Sequence, residues 1–219
     1  RTVTRLHELW FERRCDRDTP VVALGGGTVG DTAGFAAATF LRGLPFWQIP
    51  TTIIAQVDAA IGGKVGINHA RGKNLIGCFY QPQGIIIDPL LLATLPKRER
   101  CSGLAEVVKY GVIGDRRLFR SSERHITTWA DGDEPVGAEV IECCVRSKLR
   151  IVAEDETDTG RRHVLNFGHT LGHALERWAK FRRYRHGEAV ALGMFAAGWI
   201  ALRRRLWTAY RTRADHGDA

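Results

Sequence analysis

Residues 19–41 read TPVVALGGGTVGDTAGFAAATFL, and this stretch decides the fold class. Its first part, 19–27, is apolar and ends in glycines, which is typical of a buried strand running into a tight turn. Its second part, 30–41, is small and apolar enough for a helix that packs closely on a sheet. The stretch therefore predicts a strand, a glycine turn and a helix in succession.

Similar signals flank this stretch. PFWQIPTT (45–52) and GIIIDP (84–89) are short apolar runs bounded by prolines or glycine, and they predict two further buried strands. Residues 3–14 have the periodicity of an amphipathic helix. Strands that alternate with helical segments favour a parallel α/β sheet of the Rossmann-like kind.

The pattern changes after residue 97. The following segments show helical periodicity, and none favours a strand: CSGLAEVVKYGVI, VGAEVIECCVRSKLRIVAEDE, VLNFGHTLGHALERWA and GEAVALGMFAAGWIALRRR. We therefore predict an α/β domain at 1–97 and an all-helical domain at 98–219, with the boundary near LPKRER (95–100).

Composition narrows the class of protein. The chain has 219 residues, 44% of them hydrophobic and 26% charged, and no apolar run is long enough to span a membrane. Its cysteines form no CxxC pair, so we interpret them as reduced thiols of a cytoplasmic protein: Cys15, Cys78, Cys101, Cys143 and Cys144. Because residue 1 is arginine and the only methionine is Met194, we expect chain before residue 1, and a targeting segment there stays open.

The net charge of +8 comes with an unusual choice of cation, since only six of the 32 basic residues are lysines. The arginine clusters at 161–162, 182–185 and 203–205 match no known nucleic-acid-binding motif, so we expect no nucleic-acid partner. The excess of basic residues is also consistent with a basic cleft that binds an anionic small molecule.

The positions of the lysines are informative. Lys64, Lys73, Lys109 and Lys148 all lie in glycine-rich or otherwise distinctive stretches. A retained lysine supplies a compact ammonium group with an adjustable pKa, which arginine does not. These lysines therefore predict a functional site.

The glycine turn formally matches GxGxxG, from Gly25 through Gly27 to Gly30. Such a loop can bring backbone N–H groups and a helix N-terminus to a pyrophosphate. The acidic residue expected about 20 positions later is absent, and Asp31 opposes a simple anion site. Two interpretations stay open: a nucleotide loop of non-standard type, and a turn that only allows close helix–strand packing.

Polar residues in the helical half suggest a metal site. Three separate helical segments carry one glutamate and three histidines in glycine-containing motifs: Glu106, His169, His173 and His186. His169 and His173 belong to the same segment and share a helix face. A lone histidine on such a helix is usually a hydrogen-bonded core residue, but this concentration favours metal ligands. A catalytic zinc takes three protein ligands and keeps one open position, so four candidates is one too many.

Several of these stretches together resemble one family. The chain is similar, in order and over about residues 19–200, to 3-dehydroquinate synthase, a member of the sugar phosphate cyclase superfamily. The resemblance is carried by these motifs: GGGTVGDTAGFAAATFLRG, IPTTIIAQVDAAIGGKVGIN, GKNLIGCFYQP, SGLAEVVKYG, LNFGHTLGHALE and HGEAVALGM.

The resemblance implies a particular metal site. In that family the metal ligands correspond to Glu106, His169 and His186, and the metal is Zn²⁺ or Co²⁺. His173 would then contact substrate or move protons from one helical turn away.

The resemblance also implies a cofactor and a substrate. NAD would contact these residues in the α/β half: Gly25, Gly26, Gly27, Thr28, Val29, Gly30, Asp31, Thr51, Thr52, Lys64, Lys73, Leu91, Leu92, Ala93 and Thr94. The substrate, a keto sugar acid phosphate, would contact Arg42, Asp58, Lys64, Asn74, Lys109, Lys148, Arg162, Asn166 and His173. The resemblance implies that Arg42 acts across the interface of a homodimer, which we expect in the full-length form.

The implied reaction is the second step of the shikimate pathway. It converts 3-deoxy-D-arabino-heptulosonate 7-phosphate (DAHP) to 3-dehydroquinate by transient NAD-dependent oxidation, phosphate elimination, re-reduction and intramolecular aldol closure. The family chain continues before residue 1 and beyond residue 219, with a further lysine of the site at each end, so we expect little or no activity from this chain alone. The alternatives are a metal-dependent polyol dehydrogenase, another sugar phosphate cyclase, or an inactive binding or oligomerisation piece.

Overall fold

A computed structural model of the chain describes residues 1–206. The first half contains two helices and five strands. In chain order they are α1 (Thr2–Glu12), β1 (Val21–Gly25), α2 (Gly27–Thr39), β2 (Phe46–Pro50), β3 (Lys64–His69), β4 (Gly72–Phe79) and β5 (Gly84–Ile85).

Three strands form a parallel sheet in the order β1–β2–β5. All three come from the runs that predicted buried strands, and the sequence of strand, glycine turn and helix at 19–41 is confirmed. The burial of β1 was predicted wrongly, since Val22 and Leu24 are 55% and 62% exposed because α2 packs on the face that carries Ala23. Helix α2 packs on this sheet because its small residues allow a close approach. A Cβ atom on Gly34 would lie only 2.5 Å from Val65 and 2.8 Å from Phe46. Phe40 and Leu44, at the end of α2 and beyond, complete this core.

The antiparallel hairpin β3–β4 was not predicted from the sequence. Its glycines obscure the apolar alternation that would signal a strand. Gly66 and Gly77 face each other, and a Cβ atom on Gly77 would lie 2.2 Å from the carbonyl oxygen of Val65. The Tyr80 hydroxyl donates a 2.6 Å hydrogen bond to the Leu44 carbonyl, which ties the hairpin to the α/β core.

The second half contains helices joined by loops and no strand among the described residues, as predicted. Its helices are α3 (Lys97–Ile113), α4 (Arg116–Asp131), α5 (Ala138–Glu154), α6 (His169–Trp178) and α7 (His186–Arg203). Among residues 1–206, no helix is long and apolar enough to cross a membrane.

Helix α4 was missed, because most of its residues are polar and only Leu118, Ser122 and Trp129 are buried. Signals for it exist in the sequence. Asp115 caps the helix by accepting from the N–H groups of Arg117 and Leu118. Gly132 ends the helix with a φ of +86°.

The core of the helical half includes residues from the first half. Ile53 and Val57 are fully buried among side chains of α3, α4 and α5. They belong to a segment that contains a π-helical turn, Ala55–Ala59. The boundary between 97 and 98 stays a prediction, and residues 207–219 of the predicted second domain lie outside the described part of the chain.

Candidate active site

The glycine turn lies at the carboxyl end of β1. The Thr51 N–H donates a 2.9 Å hydrogen bond to the Gly25 carbonyl, so the ends of β1 and β2 meet there. Helix α2 begins at Gly27. A Cβ atom on Gly30 would lie 2.4 Å from Gln48 Oε1, so close packing alone accounts for this last glycine of the motif.

Most of the residues predicted to contact NAD lie at the same edge of the sheet. Lys64 and Lys73 do not, because they belong to the hairpin β3–β4 and form ion pairs with Asp158 and Glu176. A Cβ atom on Gly26 would lie 3.1 Å from Thr52 Cγ2, so the first and second strand ends are in contact. Leu91 and Leu92 lie in a 3-10 turn, Pro89–Leu92, which follows β5. The crevice beyond the carboxyl ends of parallel strands is where open α/β sheets bind dinucleotides.

The three predicted metal ligands come from three helices. Glu106 lies inside α3, while His169 and His186 are the first residues of α6 and α7. His169 Nε2 lies 3.7 Å and His186 Nε2 lies 3.5 Å from Glu106 Oε1. Their candidate ligand atoms all lie within 4.8 Å of one another.

The chemistry of this cluster fits a divalent metal. Glu106 is fully buried, and its Oε1 has no hydrogen-bond donor within the described part of the chain. Its Oε2 forms an ion pair with Lys109 Nζ. A buried carboxylate oxygen that faces two imidazole nitrogens leaves a place that a cation would fill. One carboxylate and two imidazoles also match the donor set of a zinc site with an open position.

The ionisation of the cluster in the absence of a metal follows from its burial. Burial alone lowers the pKa of His186, but its contacts with Glu106 and Glu176 outweigh this and raise the pKa to about 9. Burial lowers the pKa of His169, which favours the neutral imidazole. A metal would therefore compete with a proton at His186.

His173 lies beside the cluster. Its ring centroid is 5.3 Å from that of His169 and 5.9 Å from that of His186. It forms a second compact group with Glu176 and His186. Burial lowers the pKa of His173, so the ring is neutral at physiological pH and can accept a proton.

A cavity of about 620 Å³ lies between the hairpin and the helical half. Seven of the nine residues predicted to contact substrate line it: Asp58, Lys64, Asn74, Lys109, Lys148, Arg162 and Asn166. Asp31 and His169 also line it, so the cavity runs from the α2 side to the predicted metal ligands. Arg42 and His173 are not among its lining residues, and Arg42 lies in the turn after α2 with a φ of +69°.

Asp58 organises the buried cations of this cavity. Lys148 Nζ contacts Asp58 Oδ1, Lys109 Nζ lies 3.6 Å from Oδ2, and the Tyr110 hydroxyl donates a 3.0 Å hydrogen bond to Oδ1. Burial alone would raise the pKa of Asp58, but Lys109 and Lys148 hold it below its usual range. Burial lowers the pKa of Lys148 despite its contact with Asp58. A lysine with an adjustable pKa is what the scarcity of lysine in the sequence indicated.

A loop after α5 positions two more charged residues. Arg162 is 2% exposed, and its guanidinium donates to the carbonyls of Gly62 and Glu156 at 2.9 and 2.6 Å. Asp155 closes the loop by accepting from the N–H groups of Gly160 and Arg162. The hydrogen bonds from the N–H groups of Arg162 and Thr159 are the main cause of the low pKa of Asp155, about 2.

Asp158, on the same loop, forms an ion pair with Lys64 of the hairpin. This contact joins the two sides of the cavity.

The pKa of Asp31 is raised, whereas those of Asp58 and Asp155 are lowered. Burial raises its pKa to about 7, although Asn74 Nδ2 lies 3.4 Å from its Oδ2. The carboxyl group is therefore partly protonated near neutral pH, which reduces its opposition to an anion at the glycine turn.

The sequence predicts no role for Asp155 or Glu176. Glu176 is 1% exposed and contacts both Lys73 and His186. A signal for Glu176 exists, since it follows His169 by seven residues and His173 by three and so shares their helix face. Asp155 has no comparable signal, because its partners are backbone N–H groups.

The fold of this chain, a parallel sheet with a glycine turn followed by helices, aligns with those of solved sugar phosphate cyclases. Models of the 3-dehydroquinate synthase N-terminal and C-terminal families match residues 1–102 and 103–216, respectively. The chain belongs to the 3-dehydroquinate synthase family.

Individual relatives agree with the family match. The chain is 53% identical over 203 residues to 3-dehydroquinate synthase of Geobacter metallireducens, covering 93% of this chain and 56% of the relative. It is 52% identical to that of Desulforamulus reducens, covering 91% of this chain and 55% of the relative. The chain thus spans little more than half the length of these relatives.

Solved structures give the same result for the fold. One is ValA, a 2-epi-5-epi-valiolone synthase from Streptomyces hygroscopicus subsp. jinggangensis with NAD⁺ and Zn²⁺ bound. It is 33% identical, with a TM-score of 0.88, over 95% of this chain and 58% of that one. Another is 2-deoxy-scyllo-inosose synthase complexed with carbaglucose-6-phosphate, NAD⁺ and Co²⁺, at 30% identity and a TM-score of 0.79 over 94% of this chain and 57% of that one.

Proposed function

We propose that this chain forms the cofactor- and metal-binding core of a 3-dehydroquinate synthase that converts DAHP to 3-dehydroquinate and phosphate. The observation that carries the proposal is the cavity in which Lys64, Lys109, Lys148 and Arg162 converge next to His169 of the predicted metal site. A substrate with a phosphate that leaves and a carboxylate that stays needs cations at two places.

The proposed roles of the side chains follow from their surroundings. Arg162 and Lys148 would bind the anionic ends of the substrate, since both are buried in the cavity wall. Asp58 holds Lys148 and Lys109 in position, and Asn74 lies on the facing hairpin where it can hydrogen-bond a hydroxyl. His173, next to His169, would move a proton.

Glu106, His169 and His186 would hold Zn²⁺ or Co²⁺, and the strand ends around Gly25–Asp31, Thr51 and Thr52 would hold NAD. When bound, these groups supply polarisation of a substrate hydroxyl and reversible uptake of a hydride. The ligands named for the two solved cyclases support this pair of cofactors.

The free cysteines support a cytoplasmic location.

A polyol dehydrogenase of the same architecture is the main alternative. Glycerol dehydrogenase of Schizosaccharomyces pombe aligns with a TM-score of 0.60 at 21% identity, which is evidence for the fold alone. A dehydrogenase has little use for so many cations around one cavity. The resemblance places Lys148, Arg162, Asn166 and His173 at substrate-site positions of the family that forms dehydroquinate, which also disfavours a cyclase acting on another substrate.

The experiment is an assay of the full-length protein that contains this chain. We expect stoichiometric release of phosphate from DAHP, with no accumulation of NADH, because the hydride returns to the product. NADH accumulation from a polyol without phosphate release would instead identify a dehydrogenase. Lys148→Met should abolish phosphate release, whereas Lys180→Met, a change of the same kind outside the cavity, should keep it.

A further inference from the structure

Glu176 is a buried carboxylate that the proposed reaction does not use. It lies on α6 and is 1% exposed. It forms an ion pair with Lys73 and lies within hydrogen-bond distance of His186. A buried charge is costly unless its partners are fixed, and both partners here belong to other elements of the fold.

The two nitrogens of His186 face different carboxylates. Nε2 lies 3.5 Å from Glu106 Oε1, and Nδ1 lies 3.3 Å from Glu176 Oε2. If Nδ1 carries the proton and donates it to Glu176, the lone pair of Nε2 points at the place shared with Glu106. His169 is arranged in the same way, since its Nδ1 lies 3.2 Å from the Phe167 carbonyl while Nε2 faces Glu106.

The second oxygen of Glu176 is held from the other half of the chain. Lys73, on β4, places Nζ 2.6 Å from Glu176 Oε1 and 4.8 Å from the ring centroid of Phe181. Oε1 is therefore occupied by an ammonium group and Oε2 is aimed at His186. The carboxylate is kept in one orientation by elements that are distant in sequence.

We propose that Glu176 is a positioning residue for the metal, which accepts the Nδ1–H of His186 and so directs Nε2 toward Glu106 and His169. The inference rests on the metal site of the proposed function. Carboxylates that hold a metal-ligating histidine in this way also raise its basicity and tighten metal binding.

Glu176 could instead be a ligand, because His173, Glu176 and His186 also form a compact group. The geometry favours the positioning role. Lys73 already neutralises the carboxylate, and a cation between Glu176 Oε2 and His186 Nδ1 would replace the Nδ1–H that directs Nε2 toward Glu106.

The test is Co²⁺ and Zn²⁺ binding by the purified chain, followed by the visible absorption of Co²⁺ and by competition with zinc. Glu176→Gln preserves size but removes the charge, and we expect its zinc affinity to fall about 10- to 100-fold. Glu176→Asp keeps the charge on a shorter side chain and should bind with intermediate affinity. Glu142→Gln, an exposed acid paired with Arg146 on α5, is the matched control and should bind as the unmodified chain does.

The outcomes distinguish a failure of this inference from a failure of the proposed metal site. One metal per chain, weakened by Glu176→Gln and partly restored by Glu176→Asp, supports the inference. Equal affinity in Glu176→Gln and the unmodified chain overturns it and leaves the metal site of the proposed function intact. Two metals per chain, reduced to one by Glu176→Gln, would make Glu176 a ligand. No metal binding by the unmodified chain would overturn both.

Discussion

Asp58 brings one carboxylate against two buried ammonium groups, those of Lys109 and Lys148. Lys109 in turn pairs with Glu106, so positive and negative charges alternate from the cavity to the predicted metal ligands. Charges this deeply placed are tolerated only together, because each loses its hydration and depends on its neighbour.

We predict first that Asp58→Asn destabilises the folded chain. The change leaves Lys148 without its counter-charge and should lower the free energy of unfolding by about 3 kcal/mol, the lower end for breaking a buried pair. We choose the lower end because 19% of the Asp58 side chain remains exposed. Urea denaturation followed by tryptophan fluorescence measures the change.

The control for Asp58→Asn is Glu142→Gln, which breaks the exposed pair with Arg146. Such a surface pair is expected to change the free energy of unfolding by less than about 1 kcal/mol. Equal effects of the two substitutions would mean that Asp58 does not balance the buried lysines.

At the scale of elements, helix α7 is placed by contacts that only glycine allows. A Cβ atom on Gly187 would lie 1.8 Å from the Ser102 carbonyl oxygen of α3. A Cβ atom on Gly193 would lie 1.9 Å from the Gly168 carbonyl oxygen, just before α6. Because His186 and His169 begin these two helices, the close approach of α7 and α6 also sets the distance between the predicted ligands.

The second prediction is that Gly193→Ala separates α7 from α6. The obstructing atom belongs to the backbone, so a helix must shift, and we expect a loss of about 1–3 kcal/mol in the free energy of unfolding. Zinc affinity should fall as well, since His186 moves with α7. Thermal unfolding and zinc titration of the same samples measure both effects.

Gly137→Ala is the matched control for this prediction. Gly137 precedes α5, and nothing lies within 4 Å of the position its Cβ would take. Gly137 is the N-cap of α5, where alanine is less favourable than glycine, so the substitution should lower the free energy of unfolding by about 0.5–1 kcal/mol and leave zinc affinity unchanged. If Gly193→Ala is equally mild, the helices are not limited by this contact.

At the scale of the whole molecule, the predicted metal site links three helices that are far apart in sequence, α3, α6 and α7. Lys73 adds the hairpin through Glu176. A metal bound there would stabilise the folded chain, because the ligands come together only in that state.

The third prediction is therefore that zinc raises the melting temperature of the chain and that a chelator reverses the rise. At 100 times the dissociation constant the stabilisation is about 2.7 kcal/mol, or roughly 5–10 °C for a chain of this size. His186→Ala should abolish the shift. His173→Ala should keep it, and a loss of the shift in His173→Ala would show that the ligands have been assigned wrongly.

Sequence alone determined much of this protein. The strand, glycine turn and helix at 19–41 and the helical second half follow from local periodicity, which acts within a few residues. Scarce lysines pointed to a site, and Lys64, Lys109 and Lys148 do line one cavity. The family resemblance, carried by unbroken motifs, is confirmed by the family match.

Other features were decided only by the tertiary structure. The hairpin β3–β4 depends on glycines whose partners lie on the opposite strand, and the closure of the 155–162 loop depends on backbone N–H groups that have no sequence signature. The residue-based choice among Glu106, His169, His173 and His186 was open, because spacing along a helix does not report which nitrogen faces which carboxylate. That orientation, and the contact of Glu176 with both His186 and Lys73, arises because packing brings together groups from separate helices and a hairpin.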